Sequence, residues 1–343
     1  MTDEILSEKR GAIGLITLNR PQALNAINRT MCLTIHRLLD DWRDDPEVEA
    51  VVIRGAGDRA FCAGGDVVTV YHAGRNDSPD WEAFFYDEYR MNHAIATYAK
   101  PYVALIDGIT MGGGVGLSIH APYRVATERT LFAMPETGIG LIPDVGGTHA
   151  LPRLKGELGT YLGLTGARLK GGDCVHAGIA THFTASDRIE ALVEALAAGD
   201  RPVEAVLGEF GTDHGPDSLA SNHVAIDRHF VHDSMEAIIE SLGQGDEWAK
   251  EQQETLLRMS PTSCKITLRA LREGAGLDIA DALRNEYRIV CAAKHGHDFY
   301  EGIRAQLIDK DRNPKWRPAM LAEVSDAEID RYFQPPEGGD LAF

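Results

Sequence analysis

Two carboxylates and a run of glycines are the residues of this chain whose types and spacing could do chemistry together. Gly108-Ile109-Thr110-Met111-Gly112-Gly113-Gly114-Val115-Gly116 is followed by Met134-Pro135-Glu136-Thr137 and then by Pro143-Asp144-Val145-Gly146-Gly147. Three consecutive glycines opening a small-residue helix leave backbone N–H groups free to hold a developing oxyanion. A carboxylate aimed at the same spot acts as base or nucleophile. The combination points to attack on an activated acyl carbonyl. Two enclosed carboxylates repel each other's charge, so the pair is expected to titrate with one pKa raised. The expected division leaves Glu136 ionised, as nucleophile or base, with Asp144 steering water or handling the proton. Taken alone, Asp144 reads better as an N-cap for the Val145–Thr148 turn into a helix, a role that can coexist with catalysis.

The elements that must position these residues alternate in type. Gly11–Leu18 reads as a strand closed by Asn19-Arg20-Pro21, Asn28–Trp42 as an amphipathic helix broken at Asp44-Asp45-Pro46, and Val48–Ile53 and Tyr102–Ile106 as short buried strands. Residues 75–98, rich in Trp81, Phe84, Phe85, Tyr86, Tyr89 and Tyr98, read as a loop feeding a helix. Beyond about residue 187 strand signals fade, and helical patterns follow with breaks near Gly211–Asp217 and Gly243–Asp246. Ser260-Pro261 marks a further helix start. The expected plan is an α/β layered fold over residues 1–186 and a helical region over 187–343.

Composition sets outer bounds. The chain has 343 residues, 44% hydrophobic and 25% charged, which is ordinary for a globular protein. A net charge of −18 argues against nucleic acid or an anionic membrane as partner. No apolar run approaches the roughly 18 residues a membrane helix needs. Cys32, Cys62, Cys174, Cys264 and Cys291 are odd in number and contain no CxxC pair, which fits a reducing compartment better than a disulfide framework or structural zinc. The stretch MTDEILSEKR lacks a secretory h-region and is acidic for a transit peptide. A cytoplasmic protein is expected, or a mitochondrial-matrix one if a transit peptide has been removed.

Several motifs fail as alternatives. The glycine run lacks GxGxxG spacing. Gly116-Leu117-Ser118-Ile119-His120 misses the GxSxG elbow at its last position, which leaves Ser118 to helix packing. His295-Gly296-His297 has no partners at metal-ligand spacing and reads as a helix-turn contact.

The ordered strings NRPQALN (19–25), AFCAGGD (60–66), ITMGGGVGLS (109–118), LFAMPETGIGL (131–141), PDVGG (143–147), LTGARLKGGD (164–173), AGIATHF (177–183), MSPTSCKITLRAL (259–271) and GHDFYEGIRAQLIDKD (296–311) resemble the crotonase (enoyl-CoA hydratase/isomerase) superfamily, most nearly its 3-hydroxyisobutyryl-CoA hydrolase branch. The resemblance runs over residues 14–317. It implies a spiral of ββα units, with C-terminal helices covering a CoA site. It also implies an oxyanion hole at the N–H groups of Gly65 and Gly113, and a catalytic glutamate at Glu136. Hydratases of the family carry a second glutamate where this chain has Gly116, so Asp144 supplies a different second carboxylate, suited to hydrolysis. The resemblance further implies that Glu88 contacts a substrate hydroxyl, against the plainer reading of a helix-surface acid. It places the CoA adenine against the backbone near Leu24, Ala63, Gly65 and Val67.

The basic residues usual for the phosphates are replaced by Val68 and Gln22, leaving Arg59, Lys310 and Lys315 as candidates. The expected activity is acyl-CoA thioester hydrolysis in valine breakdown, with no metal or redox cofactor, CoA being part of the substrate. The route is open between an acyl-enzyme anhydride and direct general-base attack. Assembly into a homo-oligomer through the C-terminal helices is a further expectation. Two other readings stay open: an enoyl-CoA isomerase or hydratase, since one glutamate suffices to shuttle a proton, and a non-catalytic interaction protein on the same fold.

Overall fold

In the computed structural model, residues 3–343 are described. They divide into two compact units, each assembled from three stretches of chain. The first takes the segment ending at Gly65 together with Arg90–Ala133 and Arg168–Leu219. The second takes Asp66–Tyr89, Met134–Ala167 and Ala220–Phe343. The boundary expected near residue 186 marks a change in secondary structure, since no strand follows His182–Phe183 among the described residues. Compactness follows the interleaved division instead.

The first unit holds two sheets. β1 (Ile5–Arg10) pairs antiparallel with β2 (Ile13–Leu18), and β2 runs parallel to β3 (Ala50–Gly55). β4 (Ala60–Cys62) opens a second sheet, and β5 (Tyr102–Ile106) returns to the first beside β3. β6 (Ile109–Met111) joins β4, β7 (Tyr123–Ala126) joins β5, and β8 (Leu131–Ala133) joins β6, all in parallel. β9 (Leu169–Lys170) and β10 (His182–Phe183) complete the second and first sheets. Successive strand pairs β3–β4, β5–β6 and β7–β8 thus each give one strand to each sheet before the chain turns helical. This is the repeating ββα plan that the resemblance implied.

Burial explains the strand sequences. Ile13 and Leu15 of β2, Ala50 and Val52 of β3, and Val103 and Leu105 of β5 face one way, as a two-residue period requires. They pack with Leu192, Val193, Leu196, Val206, Leu207 and Phe210 of the Ile189–Ala197 and Val203–Phe210 helices. The strand β1 was not legible because Ser7, Glu8, Lys9 and Arg10 are charged or polar; it is an edge strand, where charge is tolerated and blocks further pairing. The Arg29–Arg43 helix matches the expected span, with the Asn28 side chain accepting the Met31 N–H at 3.0 Å as its cap.

Residues 75–98 form the loop feeding a helix that the sequence suggests: Val67–Arg75 ends, residues 76–79 turn, and the Asp80–Ala96 helix follows. Trp81, Phe84, Phe85 and Tyr89 recur at helical spacing and are buried. In the second unit Trp81 donates its indole N–H to the Val290 carbonyl at 3.0 Å and meets Phe299 edge-on at 4.8 Å. The Pro261–Gly274 helix starts as expected, with the Ser260 hydroxyl accepting the Ser263 N–H. Its Ile266 and Ala270 pack with Ile142, Ile289, Val324, Ile329 and Phe333 in a core of the second unit.

Candidate active site

In the first unit the segment after β4 is held from below by NRPQALN. Leu24 and Asn25 adopt consecutive left-handed conformations at φ 51° and 56°. The buried Asn25 amide donates to the Ala56 and Ala60 carbonyls at 3.0 and 2.8 Å. The Leu24 carbonyl accepts the Ala63 N–H at 3.0 Å, and the Gly64 carbonyl accepts the Ile27 N–H at 2.9 Å. Gly64 sits at φ 121°, and a Cβ built there would lie 3.9 Å from the Gly113 nitrogen. The loop carrying Gly65 therefore runs past the Gly113 N–H. Gly113 is the first residue of the short Gly113–Gly116 helix, where N–H groups lack partners within the helix. A Cβ on Gly114 would lie 2.2 Å from the Cys62 carbonyl oxygen, so this helix is pressed against β4 as only glycine allows. Gly116 is buried on the same helix. Ser118 is a packing residue: its hydroxyl donates back to the Gly114 carbonyl at 2.9 Å.

The second unit gathers the acids. Glu136 opens the Glu136–Ile139 3-10 helix, whose end is fixed by Gly140 at φ 74°. The Thr137 carbonyl accepts the Ser260 N–H, and the Thr137 hydroxyl donates to the Leu164 carbonyl. Glu136 is only 4% exposed, and its Oε2 is buried without a hydrogen-bond partner. Asp144 is 5% exposed. Its side chain does not cap the following Gly147–Ala150 helix; Gly146 holds that position with no side-chain cap. Asp144 Oδ2 instead accepts the Tyr89 hydroxyl at 2.6 Å. Glu88, expected either at the substrate or on a helix surface, is buried, with Oε1 unpartnered, which removes the surface reading.

Two residues enter that sequence reasoning did not single out. Tyr89 holds Asp144. Glu286, fully buried on the Ile279–Ala293 helix, accepts the Gly146 N–H at 2.7 Å, the Thr148 N–H at 3.0 Å and the Thr148 hydroxyl at 2.5 Å. A signal for Glu286 existed: its helical neighbours Ala282, Leu283, Ile289 and Val290 are all buried apolar residues, so a carboxylate stood on an apolar face.

Burial dominates the electrostatics of these acids. It pushes Asp144 up to about 6, against the opposing pull of the Tyr89 hydrogen bond and of a backbone bond within its own residue. Burial, then the charge of Asp144, holds Glu136 well above the usual carboxylate range. Glu88 is raised well above that range by burial, then by Asp144 and Glu286. Burial pushes Glu286 up to about 8, although its three donors favour the anion. The charge of Asp144 recurs as a cause for the other three, so the ionisation of each responds to that of Asp144.

Other predicted residues are placed as follows. Val67 opens the Val67–Arg75 helix in the second unit, behind the Asp66 cap. Arg59, Lys310 and Lys315 are exposed, and Lys315 Nζ bonds Asn313 Oδ1 at 2.9 Å. Val68 is exposed. The His297 ring bonds the Lys315 carbonyl at 2.9 Å, 18 residues along the chain, so its contact is not the local helix turn expected from the sequence.

A family model described as enoyl-CoA hydratase/isomerase matches residues 13–333, and the chain belongs to that family. Its relatives include the mitochondrial 3-hydroxyisobutyryl-CoA hydrolase of Danio rerio, 50% identical over 98% of this chain and 91% of that protein. The Homo sapiens protein of the same name is 48% identical over 99% and 91%. Among solved structures, a carnitinyl-CoA dehydratase from Mycobacterium thermoresistibile superposes with a TM-score of 0.94 at 42% identity, covering 98% of both chains. An enoyl-CoA hydratase from Rhodobacter sphaeroides 2.4.1 gives 0.92 at 40% identity, covering 99% of this chain and 100% of that one. The fold class expected from the sequence is thereby established. These names span three reactions on one architecture, so the chemistry has to be argued from the site.

Proposed function

We propose that this protein hydrolyses 3-hydroxyisobutyryl-CoA to 3-hydroxyisobutyrate and free CoA, a step of valine breakdown. The observation that carries the reading is the buried acid pair Glu136 and Asp144, with Tyr89 hydrogen-bonded to Asp144; the resemblance adds that Gly116 stands where hydratases of the family carry a second glutamate. The 3-hydroxyisobutyryl-CoA hydrolases, about half identical over nearly the whole chain, support the same reaction.

In this reading the Tyr89 bond favours the anion on Asp144, and the proton is assigned to Glu136, whose carboxyl is held well above the usual range by burial; the sequence suggested the opposite division. Asp144 takes a proton from water as its oxygen attacks the thioester carbon. The resemblance assigns the oxyanion to the N–H groups of Gly65 and Gly113, an interaction worth about 3 kcal/mol per donor in other enzymes. Collapse breaks the C–S bond, and the departing thiolate takes the proton from Glu136. Glu88 offers its unpartnered Oε1 to the substrate hydroxyl. The resemblance assigns the adenine end of CoA to the backbone near Leu24, Ala63, Gly65 and Val67. The chemistry uses side chains and backbone alone, and CoA arrives as part of the substrate. The relatives' names place those proteins in mitochondria, which favours the matrix over the cytoplasm for this one.

Replacement of each acid tests the assignment. Glu136→Gln and Asp144→Asn should each lower kcat for thiol release by about a hundredfold or more, with the fold intact by circular dichroism. Full activity in both variants would contradict the mechanism.

A further inference from the structure

Asp144 is followed by backbone that a β-branched residue rarely adopts. Val145 stands at φ 53° and Gly146 at φ 82°, two left-handed residues in succession. Such a turn persists only where its surroundings over-determine it. The Gly147 N–H closes it onto the Asp144 carbonyl at 2.7 Å. The other bonds come from far along the chain. Glu286, 140 residues from Gly146, reaches both sides of the turn, Oε2 taking the Gly146 N–H and Oε1 taking the N–H and hydroxyl of Thr148. A buried carboxylate is costly unless its lone pairs are satisfied, and Glu286 directs these three hydrogen bonds to this one turn.

We propose that Glu286 is a positioning residue for the hydrolysis: by clamping Gly146 and Thr148 it fixes the left-handed turn after Asp144 and so the direction in which Asp144 presents its carboxylate. The Tyr89 hydroxyl fixes the same side chain at its tip, at 2.6 Å. Asp144 is thus held through its backbone by one element and through its side chain by another, as a reacting group needs when small misplacements cost large factors in rate. The inference rests on the reading of Asp144 as a reacting group.

A double-mutant cycle separates this role from a merely structural one. Glu286→Gln keeps the shape of the side chain but exchanges one acceptor oxygen for a donor. In a variant folded by circular dichroism, kcat for 3-hydroxyisobutyryl-CoA should fall by about tenfold or more while KM stays within about twofold. In the Asp144→Asn background, the same substitution should change the residual rate by less than about twofold, since a group acting through Asp144 has nothing left to position. Equal factors in the two backgrounds, or a folded Glu286→Gln enzyme with kcat within about twofold of wild type, would overturn the proposal. Should Glu286→Gln not fold, Thr148→Val removes only the hydroxyl bond. It should show a smaller loss of kcat with the same non-additivity, and additivity there would also overturn the proposal. An Asp144→Asn enzyme of full activity would overturn the reaction reading itself, and the inference with it. An inactive Asp144→Asn with additive Glu286→Gln would overturn the inference alone.

Discussion

Asp144 and Tyr89 show how single residues set the pH at which this site works. Asp144 must be ionised to take a proton from water, and burial has pushed it up to about 6. Activity should therefore rise as pH climbs through about 6. The Tyr89 hydroxyl stabilises the anion and pulls the value down, so its removal raises it. In Tyr89→Phe the acid limb of kcat/KM should move to higher pH, with a larger loss of activity at pH 6 than at pH 8. The accompanying loss of stability should be about 1 kcal/mol, that of one buried hydrogen bond. An acid limb unmoved in Tyr89→Phe would show that Asp144 is not the group whose ionisation governs the rate. Glu136 and Asp144 could be singled out from the sequence because each sits in a string that resembles the family, whereas Glu88 was named on the resemblance alone. Tyr89 and Glu286 were not singled out, since their roles depend on partners 55 and 140 residues away, and no local pattern records such distances.

Elements were legible where burial writes a period. The Arg29–Arg43 helix, β5 and the Ser260 cap all fell where apolar spacing and capping residues put them. β1 was missed because an edge strand keeps its charges. The Gly113–Gly116 helix is an element whose position depends on what it lacks. A Cβ on Gly114 would stand 2.2 Å from the Cys62 carbonyl oxygen, a backbone atom of a buried strand that cannot swing aside. Gly114→Ala should push the helix off β4, displacing the Gly113 N–H and lowering kcat by about a hundredfold, with a stability loss of about 1–3 kcal/mol from overpacking. Thermal denaturation and thiol-release kinetics check both parts. An Ala variant of normal rate would mean that the Gly113 N–H does not hold the oxyanion.

Over the whole molecule, the net charge of −18 opposes a substrate whose CoA moiety carries several phosphate charges. The cations considered for those phosphates, Arg59, Lys310 and Lys315, are exposed, where salt screens them readily. Raising NaCl from about 10 mM to about 150 mM should therefore increase kcat/KM for the acyl-CoA, by about twofold, as the protein's own field is screened. A fall over that range would reveal a basic cluster strong enough to reverse the local field. The class of fold was open to sequence reading because strand and helix alternate over the first half of the chain. The interleaving of two compact units was not, because each draws on three separated stretches.

The central claim is thioester hydrolysis by a chain whose structural neighbours include a hydratase and a dehydratase. The most direct measurement follows free thiol in parallel reactions of the purified protein with 3-hydroxyisobutyryl-CoA, crotonyl-CoA and acetyl-CoA. Rapid thiol release from the first, with little from the other two, is the predicted result. No thiol release from 3-hydroxyisobutyryl-CoA, together with loss of the crotonyl-CoA absorbance as water adds to its double bond, would contradict the account and assign the site to hydratase chemistry.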